Sequence, residues 1–153
     1  MFKFENNTYL APGIYSLDWK EVCDDLGWND YRRNLLDGLK RGLEALKDCG
    51  CKKAYLDGSF VSQKDRPGDF DVCYEEAGMD FAKLKRDYTV LTIFSNKRDL
   101  QKRTYRGEFF MANDEADTGI KYFDFFQLIK DPTDPLTSLK ERKGIIEINL
   151  DTL

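Results

Sequence analysis

KKAYLDGSFVSQKDRPGDFDVCYEE, residues 52–76, is the stretch on which the fold turns. Ala54 to Asp57 has strand-forming character, and Asp69 to Glu75 alternates in the manner of a second strand. Successive side chains of a strand point to opposite faces. Asp69, Asp71 and Cys73 therefore share one face, while Phe70, Val72 and Tyr74 share the other. Two carboxylates on one face, about 7 Å apart at the backbone, can converge on one hard divalent cation. Magnesium (or manganese) takes oxygen ligands, commonly from one or two carboxylates, with substrate phosphates completing the shell. Gly58 lets the backbone approach a triphosphate closely. The Ser59 hydroxyl and the amides after it suit phosphate oxygens, best where a helix starts. The pattern points to metal-assisted nucleotidyl transfer. A plainer alternative is a turn at Arg66-Pro67-Gly68 leading into a strand whose exposed face carries two acids.

Upstream of this stretch, Asp18 with Glu21 reads as a capping box for a short helix that stops near Gly27. Asn29 opens a longer helix whose Leu35, Leu36, Leu39, Leu43 and Leu46 form one apolar face, and Gly50 is placed to end it. Gly38 and Gly42 each weaken that helix by about 1 kcal/mol relative to alanine. Their spacing marks the close approach of another element, either within the chain or from a second copy in a homodimer. FENNTYLAPGIY, residues 4–15, carries turn chemistry and is expected to cover the core without regular structure.

Downstream, Met79 to Asp87 reads as a short helix or a looped crossover, and Tyr88 to Phe94 as a further strand. Ser95 caps a helix that carries Lys97, Arg98, Lys102, Arg103 and Arg106. Most of that charge is a solvated face, but Lys102, Arg103 and Arg106 are candidates to contact triphosphate or acceptor phosphate. Asp131-Pro132 and Asp134-Pro135 make a loop. Ile146, Ile148 and Leu150 then alternate into a last strand, expected to pair antiparallel with Lys121 to Ile129. The expected architecture is α+β (α/β-type), a mixed sheet with helices mainly on one face, in a single domain over 1–153.

The chain has 153 residues, 24 basic and 28 acidic, for a net charge of −4. That balance supplies no global field favouring nucleic acid. Histidine is absent, which excludes histidine triads, histidine proton shuttles and histidine-bearing zinc sites. Cys49-Gly50-Cys51 is too tight for the usual structural zinc spacing, and no second close pair follows it. With no signal-like or membrane-length apolar run, Cys23, Cys49, Cys51 and Cys73 are expected to be reduced thiols in a cytoplasmic protein. No membrane association is expected.

A hydrophobic strand, Gly-Ser, a loop, and an acid-hydrophobic-acid strand together resemble the DNA polymerase beta-type nucleotidyltransferase superfamily. The resemblance extends to a subfamily of small bacterial and phage nucleotidyltransferase-like proteins. It is carried by YLAPGIYSLDWKEV (9–22), CGCKKAYLDGSFVSQKDRPGDFDVCYE (49–75), KRTYRGEFF (102–110), FDFFQ (123–127) and KGIIEINL (143–150). The segment LIKDPTDPLTSLKER (128–142) is longer than the short turn expected there.

The resemblance implies the nucleotidyltransferase fold and a third acid on a neighbouring strand. Asp124, inside the aromatic run GIKYFDFFQLI, is the candidate, because a carboxylate there is costly to bury without a partner. A solvated sheet face or a nearby cation is the alternative. On this reading Asp69, Asp71 and Asp124 hold magnesium, and Gly58 and Ser59 position the phosphates of a nucleoside triphosphate. Its nucleoside monophosphate is transferred to a hydroxyl acceptor on protein, RNA or a small molecule. Larger members add a helical domain for the acceptor, and no room remains for one here. The competing reading is an inactive binding protein of the same fold, such as an antitoxin or a phage–host conflict factor acting through a protein partner. Tyr122 and Phe126 are candidates to stack on a base, with core packing as the commoner role of such rings.

Overall fold

The alternating and helical runs assemble around a five-stranded mixed sheet in a computed structural model that describes residues 4–5, 9–129 and 142–153. In chain order, β1 (Phe4–Glu5) and β2 (Tyr9–Leu10) make a small antiparallel pair, and β3 (Ile14–Leu17) follows. Helices α1 (Trp19–Leu26) and α2 (Asp30–Asp48) lead into β4 (Lys53–Asp57) and β5 (Phe70–Tyr74). Next come α3 (Phe81–Asp87), a 3-10 turn (Thr89–Thr92), α4 (Ser95–Tyr105) and β6 (Gly107–Met111). A single helical turn, α5 (Tyr122–Phe125), precedes β7 (Ile145–Asn149). Most of the Asp-Pro loop lies outside the described residues. No described helix is long and apolar enough to cross a membrane.

Local sequence accounts for the starts of α1 and α2. The Asp18 carboxylate accepts from the Glu21 amide at 2.8 Å, and the Glu21 carboxylate accepts from the Asp18 amide at 3.2 Å, completing the expected box. Asn29 caps α2 by accepting from the Arg32 amide at 2.8 Å. The five leucines of α2 are all buried in the main core. Gly38 and Gly42 answer the question raised by their spacing. A Cβ on Gly38 would stand 1.9 Å from the Tyr105 carbonyl oxygen, and one on Gly42 would stand 2.2 Å from the Phe109 ring. The element that approaches is this chain's own α4–β6 corner.

The sheet runs β3-β7-β4-β5-β6, with β3/β7 and β5/β6 parallel and the two central pairs antiparallel. Four expectations change. Ser95 does not cap α4: the cap position is Phe94, which makes no side-chain capping bond. The N-terminal segment does hold regular structure, since β3 joins the sheet beside β7. Tyr88 to Phe94 is not a strand: its centre is the 3-10 turn, which buries Leu91. Lys121 to Ile129 is not a strand either, and β7 pairs with β3 and β4 instead. In that segment the aromatic rings recur at helical spacing, and their packing overrides strand propensity.

Alternate residues of each strand serve two cores. Ala54, Leu56, Phe70, Val72, Tyr74, Phe109, Ile146 and Ile148 face the main helices. Tyr55, Cys73, Phe110 and Ile145 face the other way and pack with Phe126, beside partly buried Tyr122, Phe123 and Phe125. The larger helices thus lie on one face, as expected, and α5 covers part of the second.

Candidate functional site

The site begins where β4 ends. Its register places Asp57 opposite Asp71 on β5, and Asp71 opposite Glu108 on β6. Three acids therefore stand in a row across three adjacent strands. Like charges directly opposite one another destabilise a sheet, so such a row needs positive charge. Lys143 supplies it at one end, with Nζ 3.1 Å from Asp57 Oδ1. Lys102 supplies it at the other, with Nζ 3.0 Å from Glu108 Oε1.

Asp69, immediately before β5, completes the group. One carboxylate oxygen from each of Asp69, Asp71 and Glu108 lies within 4.8 Å of the others. Burial, and then the neighbouring Glu108 charge, raise the Asp69 pKa, while Lys102 opposes the shift. The bond to Glu108 and the charges of Asp69 and Asp71 raise the Lys102 pKa. The donors are all carboxylate oxygens, which suits a hard divalent cation. Their mutual repulsion is what such a cation relieves.

Gly58 follows Asp57 with φ +86, and a Cβ there would lie 2.7 Å from Asp71 Oδ2. Glycine is thus required twice, by backbone conformation and by contact with a candidate ligand. The chain then turns instead of starting a helix. Val61 N donates to Gly58 O at 3.1 Å, and Ser62 Oγ donates to Ser59 O. The helix start that would best suit phosphate is therefore absent after Ser59, and the turn offers hydroxyls and amides instead.

A cleft of about 540 Å³ opens beside this turn. Gly58, Ser59 and Asp71 border it, as do the apolar side chains of Tyr9, Phe125 and Leu128. Its size is that of a small-ligand pocket, and its lining combines polar and flat apolar groups.

The expected residues divide. Asp69 and Asp71 converge as the alternation required, with Gly58 touching Asp71 and Ser59 adjoining on the cleft wall. Lys102 reaches the acids through Glu108. Arg103 instead pairs with Asp99 at 3.0 Å on an exposed face, and Arg106 is an exposed cap with φ 71. Asp124 is corrected: it sits exposed on α5 and is not among the carboxylates gathered at Asp69 and Asp71. The third acid there is Glu108, whose signal in the sequence is a lone acid between Gly107 and Phe109 at the head of a strand. Tyr122 and Phe126 pack against Phe110, with centroids 4.4 and 5.4 Å away, and Phe126 alone of the two also borders the cleft.

The chain belongs to DUF6932, a family of unknown function, which it matches over residues 2–149. No curated protein and no solved structure matches it.

Proposed function

We propose that this chain is a metal-dependent nucleotidyltransferase that moves a nucleoside monophosphate from a nucleoside triphosphate to an acceptor hydroxyl. One observation carries the reading: Asp69, Asp71 and Glu108 gather within 4.8 Å, with a positive-φ glycine against one of them at the mouth of a cleft. Asp69, Asp71 and Glu108 would hold magnesium or manganese. Bound there, such an ion supplies charge stabilisation for the attacking and leaving oxygens of an in-line displacement. The Ser59 and Ser62 region receives the distal phosphates, and Lys102 neutralises charge on the triphosphate side. The acceptor oxygen bonds to the α-phosphorus, the bond from that phosphorus to the bridging oxygen breaks, and pyrophosphate leaves. The hydroxyl proton passes to a carboxylate and on to water. The apolar wall of Tyr9, Phe125 and Leu128 suits the flat base of the donor.

A second reading draws on the Lys102–Glu108 pair. An ammonium 3.0 Å from a candidate ligand is what a retired site would keep in place of a cation. The chain would then be an inactive binding protein of the same fold that acts through a protein partner.

Calorimetry of ATP, GTP, CTP and UTP with magnesium, wild type beside Asp69→Asn/Asp71→Asn and Glu108→Gln, separates the two. Binding of at least one triphosphate that both variants lose supports the transferase. Absence of binding to all four, with stoichiometric capture of a protein partner, supports the second reading.

A further inference from the structure

We propose that the corner between α1 and α2, through Arg32, is a clamp that sets the position of the nucleotide loop, making Arg32 a positioning residue for the site. The inference rests on the functional reading above for its consequence, but its structural half stands alone. Arg32 is 0% exposed. Its guanidinium lies 3.7 Å from the Trp28 ring centroid and 4.3 Å from that of Phe60, between an α1–α2 residue and a loop residue. It donates through Nε to Leu26 O, through Nη1 to Lys64 O and through Nη2 to Phe60 O. These acceptors are backbone carbonyls, two in the loop and one at the end of α1. Burial lowers its pKa to about 10, with the Asp65 charge opposing the shift.

Burying a guanidinium against neutral carbonyls is an expensive way to fill a core. What it does that an apolar side chain cannot is hold three fixed acceptors in one plane, the use to which arginine's rigid fork is suited. The outer layer of the corner repeats the attachment. Trp28 Nε1 donates to Asp65 Oδ1 at 3.0 Å, and Asn29 Nδ2 donates to Asp65 O at 2.8 Å. Arg66 lies over the Tyr31 ring at 5.5 Å.

Phe60 and Val61 anchor the start of the loop in the main core, and Arg32 holds the stretch that follows. Between β4 and β5 it forms no helix or strand, and its hydrogen bonds include those donated by Val61 N, Ser62 Oγ and Lys64 N. The clamped residues Phe60 and Lys64 bracket Ser62, and Ser59, Ser62, Gln63 and Lys64 all border the cleft. Arg32 therefore fixes where the loop's hydroxyls and amides stand relative to Asp71, while touching none of the carboxylates itself. Small displacements of such groups cost binding and rate steeply.

The test uses the full chain as Arg32→Lys, Arg32→Met and the surface variant Asp65→Ala. Amide hydrogen exchange is read first, because it needs no ligand. Expected are amides in 58–66 exchanging about tenfold faster or more in Arg32→Lys, faster again in Arg32→Met, and slightly faster in Asp65→Ala. Amides of β4 and β5 should stay unchanged in Arg32→Lys and Asp65→Ala. Manganese affinity and triphosphate affinity are then measured separately. Expected is manganese binding within about twofold of wild type and triphosphate binding weakened about tenfold in Arg32→Lys. Exchange that stays slow in the loop, or rises equally through α2 and the sheet, overturns the clamp. Parallel loss of manganese and triphosphate binding overturns the positioning role. If Arg32→Met does not fold, the other two variants decide. If the wild type binds no triphosphate, the transferase reading fails by that result alone, and exchange still decides whether the loop is clamped.

Discussion

The two faces of the sheet are made from alternate residues of the same strands, yet they meet different demands. On the helix side, Leu56, Val72, Phe109 and Ile146 are each 0% exposed, sealed beneath the large helices. On the other side, an apolar row of Tyr55, Cys73 and Phe110 runs across three strands beneath the aromatic cap of α5. The next row on that same face is Asp57, Asp71 and Glu108. One step of two residues along each strand therefore carries the sheet from packing to chemistry. The lesson is that a rigid, fully packed face is what lets its reverse tolerate a line of like charges.

The largest expected effect breaks the packed side. Leu39→Ala, at a fully buried position on α2, should cost about 3 kcal/mol in urea unfolding. Manganese affinity of the folded fraction should be retained. Failure of that separation would mean that the two faces are not independent. Asp71→Asn breaks the other side. It should leave the unfolding midpoint at or above wild type while reducing manganese affinity and any transferase rate by about 100-fold or more. Loss of the fold in this variant would show the acid row to be structural.

A smaller effect sharpens the comparison. Burial and the Glu108 charge raise the Asp69 pKa above its ordinary 3.8. In the window just above that value the folded chain keeps a proton that the unfolded chain has released. This group's contribution to stability therefore falls as pH rises through the window and is constant beyond it. Manganese affinity should climb over the same window. Asp69→Asn should remove the slope and raise stability at neutral pH by roughly 0.5 kcal/mol, read from urea melts across pH. The smallest expected effect belongs to Asp124→Asn, which should change manganese affinity less than about twofold. A large loss there would return Asp124 to the site.

Period-two alternation made Asp71 and Cys73 readable as opposite in sense to Val72 and Tyr74, because pleating is a local property. Gly58 was readable for a similar reason, since a tight approach requires glycine whatever the surrounding fold. Glu108 was hidden by distance: only the pairing of β6 with β5, which no local pattern encodes, brings it beside Asp71. Asp124 misled because its aromatic neighbours have strand-forming side chains. The rings at Tyr122, Phe123 and Phe126 close instead over Phe110 and Tyr55 as a helical turn, leaving the carboxylate outside. Arg32 carries no local signal that sets it apart from the other charges of α2. Its burial depends on carbonyls supplied by a loop far along the chain.

The seating of α2 on the α4–β6 corner has a genetic consequence. Gly38 rests on the backbone of Tyr105, which ends the helix bearing Lys102, and Gly42 rests on the ring of Phe109, the neighbour of Glu108. A saturation screen for loss of function should therefore return two clusters of alleles. One would fall on the carboxylates, with protein abundance normal. The other would fall on a pair of glycines behind the sheet, where even alanine wedges apart the elements that present the acids, and where abundance should fall along with function.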